Sequence, residues 1–388
     1  MSRLALAASP RFNLASRPVL LNAHFSSTPS KSKKEPRKPH VPRPYKAPPG
    51  ANPVRRTRIH GSTLKLKFVD PIKIEGKRMK LEVDTIFENE SLAKERVNDF
   101  IRDKLADCDI PTISSLLRVS AQTLKNEPES LLKSHLPAIA RRLDALSSEP
   151  WSFMHISFVV YGLQYSKEKD RHSLSILGTM AKVATVTLQG DKPPMDQDIS
   201  MILLGIQNNS SEQKETIAML KVVHEMLNVS TSPFLAQSMS NAFYGMKGLT
   251  SDCPEALAVL AALAPKVIKC KAPMSPQQIS FALCGLQGMS CNYPEVISAL
   301  QALNPRVVNI PKTFRAQHVG NAMLGLQKMG SEHPEVINMM SALLPEFKHC
   351  RESLNPEEIK KVMFFFYKNA NNNFYQNSSE MHCIDRIL

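Results

Sequence analysis

Glycine is scarce in this sequence, at 14 residues against 28 prolines, and aromatic side chains make up only 6% of its 388 residues. A β protein that turns on glycine and fills its strands with aromatics is thereby disfavoured, and helices punctuated by proline are the expected class. No apolar run approaches the ~20 residues of a membrane-spanning helix. The seven cysteines form no Cys-x-x-Cys pair. His349-Cys350 and His382-Cys383 are adjacent pairs without the spacing of a tetrahedral zinc site, so neither a metal nor a cofactor is expected. A glycine-rich phosphate loop, a His-Glu-x-x-His motif and a nucleophile elbow are all missing, so the expectation is a protein that is not an enzyme and has no small-molecule substrate.

Acidic residues are absent from the first 34 positions, where Arg3, Arg11 and Arg17 stand among Leu, Ala and many Ser. That composition is expected of an organellar transit peptide over 1–29, and His24-Phe25-Ser26-Ser27-Thr28 resembles the end of mitochondrial presequences. The expected address is the mitochondrial matrix, with a plastid as the alternative. Segment 30–58 combines Lys, Arg and frequent Pro with few bulky apolar side chains, which predicts a disordered basic linker. From Met1 to Lys80 there are 19 Lys and Arg against 3 acids, so the excess behind the formal net charge of +14 sits in this tail. Electrostatic attraction to phosphates is therefore a property of the tail, and the remainder is nearly neutral.

Around Glu75-Gly76-Lys77-Arg78, apolar and basic residues alternate with period two, which predicts a small β-hairpin over 59–86. Segments Ser91 to Leu105, Ile113 to Thr123 and Leu131 to Leu146 carry helical spacing but no recurring glycine signature. Residues 87–150 are read as a divergent set of capping helices.

From 151 to 378 the chain repeats itself. Five segments align on a glycine: Ile156-Ser-Phe-Val-Val-Tyr-Gly162-Leu-Gln, then the equivalents at Gly205, Gly245, Gly285 and Gly325, spaced 43, 40, 40 and 40 residues apart. A sixth copy has Phe365 in place of glycine, and 379–388 is a C-terminal tail. Each repeat has a second half that starts at Asp252-Cys-Pro-Glu255, Asn292-Tyr-Pro-Glu295 or Glu332-His-Pro-Glu335. There the first residue is expected to cap the helix and the Glu to complete a capping box. The second helix is expected to stop at Pro265, Pro305 and Pro345, because proline disfavours helix at the residue before it. The fold class expected is all-α, an α-solenoid of about six ~40-residue helical hairpins, with close approach of neighbouring helices as the reason for the glycines.

The repeat length, the Ala-x-x-Gly-Leu-Gln type of first helix and the organellar address resemble octotricopeptide and heptatricopeptide helical-hairpin repeats. The resemblance covers Trp151 to about Ser378 and implies binding of single-stranded RNA in organellar transcript processing, stability or translation. The octotricopeptide Pro-Pro-Pro-Glu-Trp run and a C-terminal RAP domain are both missing, so no base-reading code is carried over. A protein-interaction scaffold, in a complex such as the mitochondrial ribosome, is the alternative.

If the stack binds RNA, amide side chains that both donate and accept suit base edges. The candidates are Gln237, Asn241, Gln278, Gln287, Gln317, Asn321 and Gln327; the alternative is that these amides bridge neighbouring repeats. Tyr161 and Tyr244 could stack on bases or fill space between repeats. Lys247, Lys269 and Arg315 are the cations that could meet phosphates, within a possible ridge of connector charges that also includes Lys266 and Arg306.

Overall fold

The computed structural model describes residues 90–123, 134–165 and 170–360, apart from 309, 311, 312 and 351, together with Val83 and Val362. The transit peptide, the basic linker and the C-terminal tail lie outside these residues. So does the expected β-hairpin, except for Val83, whose backbone is helical and whose side chain is buried. Every element among the described residues is a helix: α1 (Glu90–Lys104), α2 (Ile110–Thr123), α3 (Leu136–Ala145), α4 (Phe153–Gly162), α5 (Arg171–Thr187), α6 (Asp196–Gly205), α7 (Lys214–Val229), α8 (Ala236–Tyr244), α9 (Pro254–Lys269), α10 (Pro276–Cys284), α11 (Pro294–Val308), α12 (Ala316–Leu326) and α13 (Pro334–Lys348), with a 3-10 turn at Leu105–Asp107.

These helices pack as two parallel series. The even-numbered helices α2, α4, α6, α8, α10 and α12 each touch the next even one, and the odd-numbered α3 to α13 do the same. The result is a two-layer stack of helical hairpins. Between the layers runs one continuous apolar core, to which each repeat contributes the same positions, such as Ile279, Leu283, Leu286, Leu300 and Leu303, all fully buried. Burying each such side chain stabilises the stack by roughly 1.5–3 kcal/mol relative to leaving it exposed. A single hairpin has only half of this core, so it depends on its neighbours.

The recurrent glycines explain the spacing of the first layer. A Cβ on Gly205 would strike the carbonyl of Val160; on Gly245, that of Leu203; on Gly285, that of Phe243; and on Gly325, that of Leu283. In each case the neighbour is the residue two before the preceding glycine, so the helices touch backbone to backbone in one fixed register. At the first joint the partner is a side chain, and a Cβ on Gly162 would lie 2.7 Å from Leu117 Cβ on α2. Close approach, expected from the sequence, is what the backbone geometry requires.

Two expectations about the second-layer helices are corrected. Pro265, Pro305 and Pro345 lie inside α9, α11 and α13, each of which continues for at least three further residues. Each proline is exposed, and the carbonyl that loses its donor belongs to exposed Ala261, Gln301 or Ser341, where water can reach it. The following turn buries Val267, Val307 or Phe347 in the core, which outweighs the local penalty. The expected cap at Asp252 is also displaced. Proline at the first helical position makes Cys253 the cap of α9 and His333 that of α13, and neither makes a side-chain capping bond. The glutamates reach across to the preceding second-layer helix instead: Lys221 Nζ lies 3.6 Å from Glu255, and Gln301 Nε2 donates to Glu335 at 3.0 Å.

Candidate functional site

The even helices present one side to the odd layer and the opposite side away from it. On that outward side the four and one positions before each glycine recur, together with the position three after it. They carry Phe158, Tyr161 and Tyr165 in the first repeat, then Met201 and Leu204, then Tyr244, then Phe281. Tyr161, Met201 and Ala121 form a small apolar cluster separate from the main core, with Phe158, Tyr165 and Leu204 packed against it. The Tyr244 and Phe281 rings meet at 4.8 Å, tilted by 54°.

Two cations lie on these rings. The Arg118 guanidinium sits 4.8 Å from the Phe158 ring centre, and Lys247 Nζ sits 4.6 Å from that of Tyr244 while donating to its hydroxyl at 3.3 Å. Such cation–π contacts are worth about 0.5–2 kcal/mol each, more as water is excluded. Burial lowers the Lys247 ammonium from its ordinary value, with Cys284 opposing the shift. Burial likewise raises the phenols of Tyr161, Tyr165 and Tyr244, and at Tyr165 the Tyr161 and Tyr244 phenols raise it further.

Acidic groups are kept out of the exposed positions of the even helices. Within the even helices the described acids are Asp196 and Asp198 of α6, both buried, whereas the turns after them carry half-buried Asp170 and exposed Glu212, Asp252 and Glu332. Asp196 accepts from Leu235 N, and Asp198 accepts from Met195 N and the Ser157 hydroxyl. Burial raises the Asp198 carboxyl above its ordinary value against those two hydrogen bonds. The odd helices, by contrast, carry Glu215, Glu225, Glu255, Glu295, Glu335 and Glu346.

Most of the amides singled out in the sequence hold neighbouring repeats together. Gln287 Nε2 donates to Lys247 O at 2.8 Å and Gln327 Nε2 to Gln287 O at 3.3 Å, one repeat apart each time. Gln278 Nε2 donates to Gln237, which donates to the buried Asn241, and Gln278 also accepts from Ser275 N to cap α10. Gln317 and Asn321 are half-buried on α12.

The three cations do not converge. Lys247 follows the C-terminal end of an even helix, whereas Lys269, exposed as the last residue of α9, and Arg315, exposed as the cap of α12, lie at the other end, Arg315 3.8 Å from Glu352. Lys266 and Arg306, expected on connectors, lie instead in the last turns of α9 and α11, where Lys266 donates to Ser230 O and Arg306 to Val267 O, each at 2.7 Å, so the two tie the ends of successive odd helices together. Arg118, Phe158, Tyr165 and Phe281 were not singled out in the sequence; reading the same offsets from every glycine would have found the aromatics. No family model matches this chain and no curated protein matches it.

Proposed function

We propose that the outward face of the even helices binds single-stranded RNA, and that the protein does so in the mitochondrion, in transcript processing, stability or translation. The single observation that carries this reading is the composition of the face: clustered rings, cations lying on them, and no exposed carboxylate among the described residues of the even helices themselves. Base stacking on aromatic side chains is sequence-tolerant, and helices that expose no carboxylate add no repulsion of phosphates beside the rings. With most of the amides engaged between repeats, stacking supplies more of the affinity than base-edge recognition does. The basic tail adds long-range attraction, and the acid-free start supports the organellar address, which a fusion of residues 1–60 to a fluorescent reporter tests.

Binding of a fluorescent single-stranded RNA, followed by anisotropy across a salt series, tests the RNA reading. Tyr165→Ala is expected to weaken binding by about 1–3 kcal/mol, the range for one lost stacked base. Lys247→Gln is expected to shallow the salt dependence by up to about one unit for one lost phosphate contact. Deletion of residues 1–80 should weaken binding without abolishing it.

A scaffold role is favoured by a different feature. Val186, Val229, Ile268 and Val308, one near the end of each of four successive odd helices, are between 48% and 69% exposed. Loss of all RNA binding on deleting residues 1–80, with capture of a defined protein partner that Ile268→Asp and Val308→Asp abolish, would replace the RNA reading with the scaffold.

A further inference from the structure

The turn that leads from an even helix to the next odd helix repeats one hydrogen bond from joint to joint. Ser211 Oγ accepts from Thr250 N at 2.9 Å, and Ser251 Oγ accepts from Ser290 N at 2.6 Å. At the following joint the acceptor is Cys291 Sγ, 3.3 Å from Gly330 N. The neighbouring positions change with it: Asp252-Cys253 and Asn292-Tyr293 give way to Glu332-His333, and Thr250 and Ser290 give way to Gly330.

Those changes gather three metal-binding groups. The Cys291 sulfur, a Glu332 carboxylate oxygen and a His333 ring nitrogen all lie within 4.8 Å of one another, the one such group among the described residues. Gly330 is part of the arrangement, because a Cβ there would strike both carboxylate oxygens of Glu332. The side chains found at this position in the two earlier turns would push the carboxylate away from the sulfur.

The donor set selects the metal class. One thiolate, one imidazole and one carboxylate make a mixed sulfur, nitrogen and oxygen set of the kind that zinc accepts, whereas calcium and magnesium require oxygen. The amide hydrogen bond to sulfur favours the thiolate that a metal needs. A tetrahedral ion would hold its ligand atoms roughly 3.3–3.6 Å apart, closer by up to about 1.2–1.5 Å than the 4.8 Å within which they lie here. Rotation of exposed Glu332 and half-buried His333 covers that distance while buried Cys291 stays in place. We propose that Cys291, Glu332 and His333 form a zinc site that staples two consecutive hairpins, with water as the fourth ligand. On binding, the Cys291 S–H bond is replaced by an S–Zn bond and the proton passes to solvent, so no oxidant or reductant is involved.

Cobalt titration of the full chain, reduced and stripped with chelator, provides the test. One equivalent of Co2+ is expected to give thiolate-to-cobalt charge-transfer absorption that Zn2+ displaces, and Zn2+ is expected to raise the Tm. Cys291→Ser and His333→Tyr each copy the residue of the preceding joint, Ser251 or Tyr293, and so remove a ligand while keeping side chains this turn accommodates. Cys291→Ser should abolish the band, and either variant should lower Zn2+ affinity by about a hundredfold or more and remove the Tm gain. The site is overturned if Cys291→Ser keeps the band, which would put the metal on other thiols, or if the wild type shows neither band nor Tm gain. Should Cys291→Ser lose helical structure, unchanged zinc affinity in His333→Tyr overturns it equally.

Discussion

At the scale of single residues, glycine has the least side chain and the most specific role. Gly285 faces the carbonyl of Phe243, where even a methyl group meets backbone that cannot rotate aside. Gly285→Leu is therefore expected to destabilise the stack by at least about 1–3 kcal/mol, as overpacking does in well-filled interiors. Thermal melting of the variant checks this, and an unchanged Tm would refute the close approach. The glycine spacing was legible in the sequence because a helix-interior glycine is costly and its recurrence calls for a cause. The roles of Gln287 and Gln327 were not legible, because an amide that grips the next backbone looks the same in sequence as one that grips a ligand. Cys291, Glu332 and His333 were hidden for a related reason: they are 41 and 42 residues apart in sequence, and only the joint between repeats brings them together.

At the scale of the element, the ends of helices were harder to read than their middles. Helix existence, order and pairing follow the apolar period, whereas α9, α11 and α13 run through their prolines because the next turn has buried side chains to contribute. Helix starts also carry the pH response. His318 Nδ1 accepts from Arg315 N at 3.2 Å at the start of α12, and burial, then the Arg315 charge, lower its pKa below 6.5 against the pull of Glu352. A folded-state pKa below the unfolded one means that protonation favours the unfolded chain. The stability contributed by the neutral ring holds above pH 6.5 and is lost as pH falls from that value through the lower folded-state pKa. His318→Gln copies Gln278, which makes the same capping contact at Ser275 without titrating in this range. The fall in Tm between about pH 8 and about pH 5.5 should be smaller in His318→Gln than in the wild type. An equal fall in both would remove His318 from the account and leave His135, whose pKa burial also lowers.

At the scale of the whole stack, Gly205, Gly245, Gly285 and Gly325 meet their neighbours through the same pair of backbone positions. The surface that one hairpin offers is therefore the surface that any other hairpin was shaped to receive, and units become interchangeable parts. Excision of residues 246–285 would bring Gly325 against Phe243, a carbonyl that already accommodates Gly285. The shortened chain is expected to keep its helical content per residue and to melt in a cooperative transition at a lower temperature, with one joint fewer. Removing only 266–285 should fail, since it deletes first-layer α10 and sets second-layer α11 where a first-layer helix must go. A chain assembled this way changes its reach in whole steps of 40 residues, so the number of bases or partner residues it spans is a matter of splicing rather than of redesigning any joint.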